Sequence, residues 1–137
     1  RCISYFTIEL RGPIPEEMRS SMGAHVFGCD ICQDVCPWNR RAPSTEEECF
    51  EPRAIPTDLT TLAALQEAEF REEFAGSPVK RARYAGFLRN VAVAMGNSGL
   101  PEMRRPLLLL TESEYPLVAE HARWALKHLE DEGVCLH

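Results

Sequence analysis

The stretch Cys29-Asp30-Ile31-Cys32-Gln33-Asp34-Val35-Cys36-Pro37-Trp38-Asn39 constrains this chain more than any other. Three thiols fall within eight residues at the spacing C-x2-C-x3-C, and a proline follows the last at once. Bacterial-type iron–sulfur ligation uses C-x2-C-x2-C-x3-C-P. The stretch carries the last three cysteines and the proline of that pattern, with Val26 in the place of the first cysteine. A cubane cluster needs four thiolates converging on one centre, and a short loop supplies two or three of them. Cys2 is the candidate for the missing thiol, returned to the site by the fold. Zinc and a disulfide framework are the alternatives. Zinc sites usually pair two C-x2-C knuckles, or one knuckle with histidines, and here there is one knuckle and no H-x3-5-H. Spacing favours iron–sulfur.

Six cysteines in 137 residues are too few and too clustered for a secreted disulfide scaffold. Their pattern suits thiolate ligation in a reducing cytosol. No apolar run approaches the roughly 20 residues that span a bilayer, and no basic-then-apolar leader is present. The expectation is a cytoplasmic protein without a membrane partner. The net charge of −6 argues against general nucleic-acid affinity, but its distribution is uneven. Residues 76–111 carry Lys80, Arg81, Arg83, Arg89, Arg104 and Arg105 against the single acid Glu102. Such a local basic patch can hold a polyanion; a solvated helix face is the other reading.

The segment Cys2-Ile3-Ser4-Tyr5-Phe6-Thr7-Ile8-Glu9-Leu10-Arg11-Gly12-Pro13-Ile14-Pro15, followed by Phe27-Gly28-Cys29 through Asn39, closely resembles epoxyqueuosine reductases. Gly76-Ser77-Pro78-Val79-Lys80-Arg81 and Leu88-Arg89-Asn90-Val91-Ala92-Val93-Ala94-Met95-Gly96-Asn97 are similar to the C-terminal part of that family. The resemblance implies an oxidoreductase that reduces epoxyqueuosine to queuosine at the tRNA wobble position. It implies two 4Fe–4S clusters, cobalamin and an electron donor. By resemblance, Cys2, Cys29 and Cys32 serve one cluster with a fourth cysteine upstream of Arg1. Cys36 completes the other cluster with three upstream cysteines. The cobalamin contacts and the catalytic acid also fall upstream, so the chain is expected to be a C-terminal fragment, monomeric and inactive alone. The six bases are expected to face the tRNA backbone. The alternative function is a ferredoxin-like electron carrier with a helical docking module, in which Cys2, Cys29, Cys32 and Cys36 hold one cluster.

The expected fold is mainly α. Residues 1–52 are the C-terminal half of a ferredoxin-like 4Fe–4S module with its linker, and residues 53–137 a HEAT-like helical domain. Residues 1–12 read as a short extended segment that turns at Gly12-Pro13. Pro15-Glu16-Glu17 opens a short helix that Gly23 stops. Asp58 caps a helix from Leu59, and a second helix carries Phe70 and Phe74. A helix from about Val79 to Met95 shows the apolar stripe Tyr84, Phe87, Leu88, Val91 and Met95. Gly96-Asn97-Ser98-Gly99 reads as a turn, Pro101 opens a helix to about Leu110, and Tyr115-Pro116 starts the last. The final two helices look like a HEAT-type pair. Trp38 is expected to shield the cluster, and Asp30 and Asp34 to stay solvated. His25 is a weak ligand candidate. Cys49 and Cys135 are expected to be non-ligands, and His121 and His128 surface or packing residues.

Overall fold

The computed structural model describes residues 2–43, 47 and 55–134, with the side chains of 132–134 excepted. Cys49 and Cys135 lie outside the described residues. Among the described residues seven α-helices run α1 Glu16–Arg19, α2 Ile31–Asp34, α3 Leu59–Ala64, α4 Glu67–Glu73, α5 Tyr84–Asn97, α6 Arg104–Thr111 and α7 Pro116–Val134. Among the described residues there is no strand, and no helix is long and apolar enough to cross a membrane.

Local chemistry accounts for several element boundaries. Asp58 accepts the Thr61 amide at 2.8 Å and so caps α3. Glu69 folds back to accept the Gln66 amide at 2.8 Å, capping α4. Pro106 sits in the first turn of α6, where a missing N–H breaks nothing. Ser77 accepts the Val79 amide at 3.3 Å and starts a 3-10 turn, Pro78–Ala82. That turn corrects the expected continuous helix from Val79. Arg83 adopts φ 61°, the left-handed region, which breaks the helix before α5 begins.

α5 is the central element. Every residue from Gly86 to Gly96 is buried. One flank packs into the main core with Leu62, Phe70, Phe74, Leu107, Val118 and Ala122. The other flank meets a smaller core of Phe6, Ile14 and Met22 through Val93. Thus residues 2–28 form a second layer over the helix, and the single apolar stripe read from the sequence describes only one of its two covered sides.

Two further expectations change. Tyr5–Glu9 is a π-helical turn, closed by the Leu10 amide on the Tyr5 carbonyl at 3.0 Å, not an extended segment. The β-branched and aromatic residues there are held by packing against α5, which overrides their strand preference. The expected turn at Gly96 and Asn97 is instead the last turn of α5, and Gly99 at φ 66° follows it. Gly96 is buried against α7: a Cβ built there would stand 2.7 Å from the Ala125 Cβ and 2.8 Å from its Cα. Gly→Ala inside a helix normally gains about 1 kcal/mol. Here Gly96→Ala is expected to lose about 1–2 kcal/mol net, because two packed helices must separate. A urea midpoint equal to or above wild type would contradict this close crossing.

Candidate metal centre

Cys2, Cys29, Cys32 and Cys36 are all free thiols, and none is buried. Cys2 precedes the π-helical turn. The amides of Tyr5 and Ser4 bond its sulfur and hold the Cys2 thiol below its ordinary range. Cys32 lies on α2, Cys29 just before it and Cys36 just after it. The Asp34 amide bonds the Asp30 carbonyl at 2.9 Å, and the Asn39 amide bonds the Cys36 carbonyl at 3.1 Å. Asn39 Nδ2 also donates to the Gln33 carbonyl at 3.1 Å. The loop is therefore shaped by its own backbone.

Cys2 and Cys29 are joined across the fold. Ser4 Oγ donates to the Cys29 carbonyl at 3.3 Å. Thr7, fully buried, donates through Oγ1 to the Ile3 carbonyl and accepts the Gly28 amide, both at 3.0 Å. Asn90 on α5 donates through Nδ2 to the Thr7 and Val26 carbonyls, each at 2.8 Å. Arg89 beside it is fully buried. Its guanidinium donates to the carbonyls of Phe6 (2.6 Å), Leu10 (2.9 Å) and Gly12 (2.7 Å), and twice to Asn90 Oδ1. All five donors of the arginine are used. Burial pulls Arg89 down to about 10, so it stays charged at neutral pH. Asn97 donates to the Arg19 and Gly23 carbonyls at 2.9 and 3.0 Å. The irregular N-terminal segment thus receives much of its hydrogen bonding from side chains of α5.

Soft, free thiols with amide donors at Cys2 suit iron–sulfur ligation. Among the described residues, however, no three His, Cys, Asp or Glu side chains are gathered closely enough to hold a metal ion. His25 has its Nδ1 at 2.8 Å from the Met22 carbonyl. Asp30 and Asp34 are exposed, and Asp30 accepts from the Gln33 side chain at 3.1 Å. Trp38 is 88% exposed. Tyr5, Ile31 and Val35 are likewise exposed apolar residues of the cysteine segments.

The six predicted bases divide. Lys80, Arg81, Arg83, Arg104 and Arg105 are exposed. Arg81 pairs with Glu9 at 2.7 Å, and Arg104 with Glu130 at 2.6 Å. The backbone of the same turn accepts from Arg11, whose Nη1 donates to the Arg81 carbonyl at 2.6 Å. Arg89 is the correction: its charge is spent on internal carbonyls and cannot meet a polyanion. Sequence reasoning also passed over Thr7 and Asn90. A buried polar residue in the middle of a helix that otherwise reads apolar was the available signal.

The comparisons with known proteins agree with the cysteine spacing. The family described as 4Fe-4S double cluster binding domain matches residues 1–39, so the N-terminal part is similar to that domain. Over 99% of its own length the chain is similar to the epoxyqueuosine reductase of Escherichia coli (strain K12), 43% identical over 139 residues. The Pseudomonas aeruginosa epoxyqueuosine reductase is 46% identical over 133 residues, 93% of this chain and 36% of that protein. The chain spans 37% of the length of the Escherichia coli relative. Among solved structures, selenomethionine-labelled epoxyqueuosine reductase superposes with TM-score 0.85 at 29% identity, over 94% of this chain and 35% of that one. An epoxyqueuosine reductase solved with a tRNA-Tyr epoxyqueuosine-modified stem loop superposes with TM-score 0.77 at 27% identity, over the same shares.

Proposed function

We propose that this chain is the iron–sulfur portion of an oxidoreductase that reduces epoxyqueuosine to queuosine at the tRNA wobble position. The observation that carries this reading is the C-x2-C-x3-C-P run in a chain related to epoxyqueuosine reductases over 99% of its length. Cys2, Cys29 and Cys32 are the proposed ligands of one 4Fe–4S cluster and Cys36 a ligand of a second. The remaining ligands and the cobalamin-binding catalytic part belong to the length of the relatives that this chain does not span. When bound, such clusters move electrons one at a time, and cobalamin would receive them for the reduction. This chain's own part is to hold thiolates in place, with the Ser4 and Tyr5 amides favouring the charged sulfur of Cys2. Residues 1–52 are read as half of a ferredoxin-like module. Residues 53–137 are read as HEAT-like, supported by the short connection between α6 and α7 and the buried Ala119, Ala122 and Ala125 of α7. The whole is read as a cytoplasmic monomer served by an electron donor.

Lys80, Arg81, Arg83, Arg104 and Arg105 are the proposed contacts to tRNA phosphates, which position a nucleic acid without reading its sequence. Function and contacts are tested together in the full-length enzyme with an epoxyqueuosine-bearing stem loop. Cys32→Ser is expected to lose iron and turnover while still binding the stem loop. Lys80→Glu with Arg81→Glu is expected to keep its iron but bind more weakly, with a salt dependence flatter by about one unit of slope per lost contact. Wild-type turnover in Cys32→Ser would refute the cluster reading. An unchanged salt slope would remove this face from the tRNA interface.

A further inference from the structure

The polar network between α5 and the cysteine segments points to a role for a residue that is not itself a ligand. We infer that Thr7, held by Asn90, is a positioning residue that fixes Cys2 relative to Cys29. The inference rests on the reading of both cysteines as ligands. Thr7 is fully buried, and its hydroxyl does two things at once. It donates to the carbonyl of Ile3, the residue after Cys2, and it accepts the amide of Gly28, the residue before Cys29. The two ligand segments, far apart in sequence, are thus joined through one oxygen atom. Ser4 adds a second strap, from its hydroxyl to the Cys29 carbonyl itself. Asn90 anchors the join to the rigid part of the molecule. Its amide reaches the carbonyl of Thr7 and that of Val26, one on each segment. Gly28 stands at φ 76°, a left-handed conformation that suits glycine and presents its amide to Thr7.

A threonine chosen only to fill space would be replaced by valine at little cost, since the two have nearly the same shape. A threonine that spaces two ligands would not. Groups that orient ligands typically cost 10–100-fold in metal affinity when removed. The test uses the full-length protein loaded with iron and sulfide under anaerobic conditions. It measures the rate of iron release to a chelator and the EPR spectrum of the reduced protein. Thr7→Val is expected to release iron about tenfold faster or more and to show an altered EPR signal. Thr7→Ser keeps the hydroxyl and is expected to stay within about twofold of wild type. Thr7→Ala removes the same hydroxyl without adding a methyl group and serves if Thr7→Val does not fold. Asn97→Asp is the control for general loosening: it removes a comparable amide, but one that bonds Arg19 and Gly23, away from the cysteines. Release from Thr7→Val at the wild-type rate, or equally fast release from Asn97→Asp at equal stability, overturns the inference. Cys29→Ser separates the two levels of the argument. If it keeps a full iron load, the ligand reading itself is wrong; if it loses iron while Thr7→Val does not, only the positioning role is wrong.

Discussion

Arg89→Met is expected to destabilise the chain by about 4 kcal/mol, among the largest effects of any single substitution that leaves the apolar core intact. The methionine fills much of the same space, so the loss is electrostatic. The carbonyls of Phe6, Leu10 and Gly12 and the side-chain oxygen of Asn90 lose their donors together. Each orphaned buried acceptor costs about 1–3 kcal/mol, and release of the buried charge offsets part of the sum. Arg89→Lys keeps the charge but not the planar five-donor fork, and is expected to lose about half as much. Arg105→Met, on an exposed position, is expected within about 0.5 kcal/mol of wild type. Urea denaturation of the three variants decides it. A loss below about 1 kcal/mol for Arg89→Met would mean that water replaces the guanidinium without difficulty.

His121 gives the second large effect, and it depends on pH. The imidazole is fully buried on α7. Its Nδ1 lies 2.7 Å from the Leu117 carbonyl, and its Nε2 accepts the Ile14 amide at 3.1 Å. Only the neutral ring, protonated at Nδ1, satisfies both. Burial pushes it down from 6.5 to about 4, the Leu117 carbonyl pulling the other way and the nearby Arg19 reinforcing the fall. The folded chain therefore holds the neutral form more tightly than the unfolded chain does. This contribution is complete above about pH 6.5 and is lost as the pH falls toward 4. It amounts to about 3 kcal/mol when fully lost. In His121→Leu the Ile14 amide is already unpaired, so that variant is less stable at pH 7.5 but lacks this slope. Urea midpoints of both proteins at pH 7.5, 5.5 and 4.5 isolate the term, since their carboxylates titrate in common. Glu120 and Arg19, which pair at 2.6 Å beside the ring, remain in both. Parallel profiles would show that His121 does not titrate in this range.

These two residues also mark where the sequence stopped being readable. The cysteine run was legible because ligand spacing is a local property. Asp58, Ser77 and the apolar stripe of α5 were legible for the same reason: caps and periodicity act within one or two turns. Arg89 reads as a solvent-facing base from sequence because one helix's pattern says nothing of a second layer packed on its far side. His121 reads from the sequence as a surface or packing residue, since nothing near it in sequence announces the Ile14 amide, 107 residues away. The π-helical turn at Tyr5–Glu9 is not legible in the sequence because its backbone is held by Asn90 and Arg89 on a distant helix, against the strand preference of the residues within it. The proposed ligand cysteines are visible in the sequence, whereas Thr7 and Asn90, which bond the segments that carry Cys2 and Cys29, are not.

The dependence of residues 2–28 on α5 has a consequence for synthesis. A chain leaves the ribosome N-terminal end first, at about 5–20 residues per second. Cys2 and Cys29 are therefore exposed in the cell before Arg89, Asn90 and Asn97 have been translated. Until those side chains emerge, the carbonyls they will bind have only water, and Cys2 has no fixed distance from Cys29. The thiols pass through a nascent stage in which they are open to oxidation or to a wrong metal. On the proposed ligand reading, cofactor loading would then wait for the later, helical part of the polypeptide, which acts as an internal scaffold for the segment made before it.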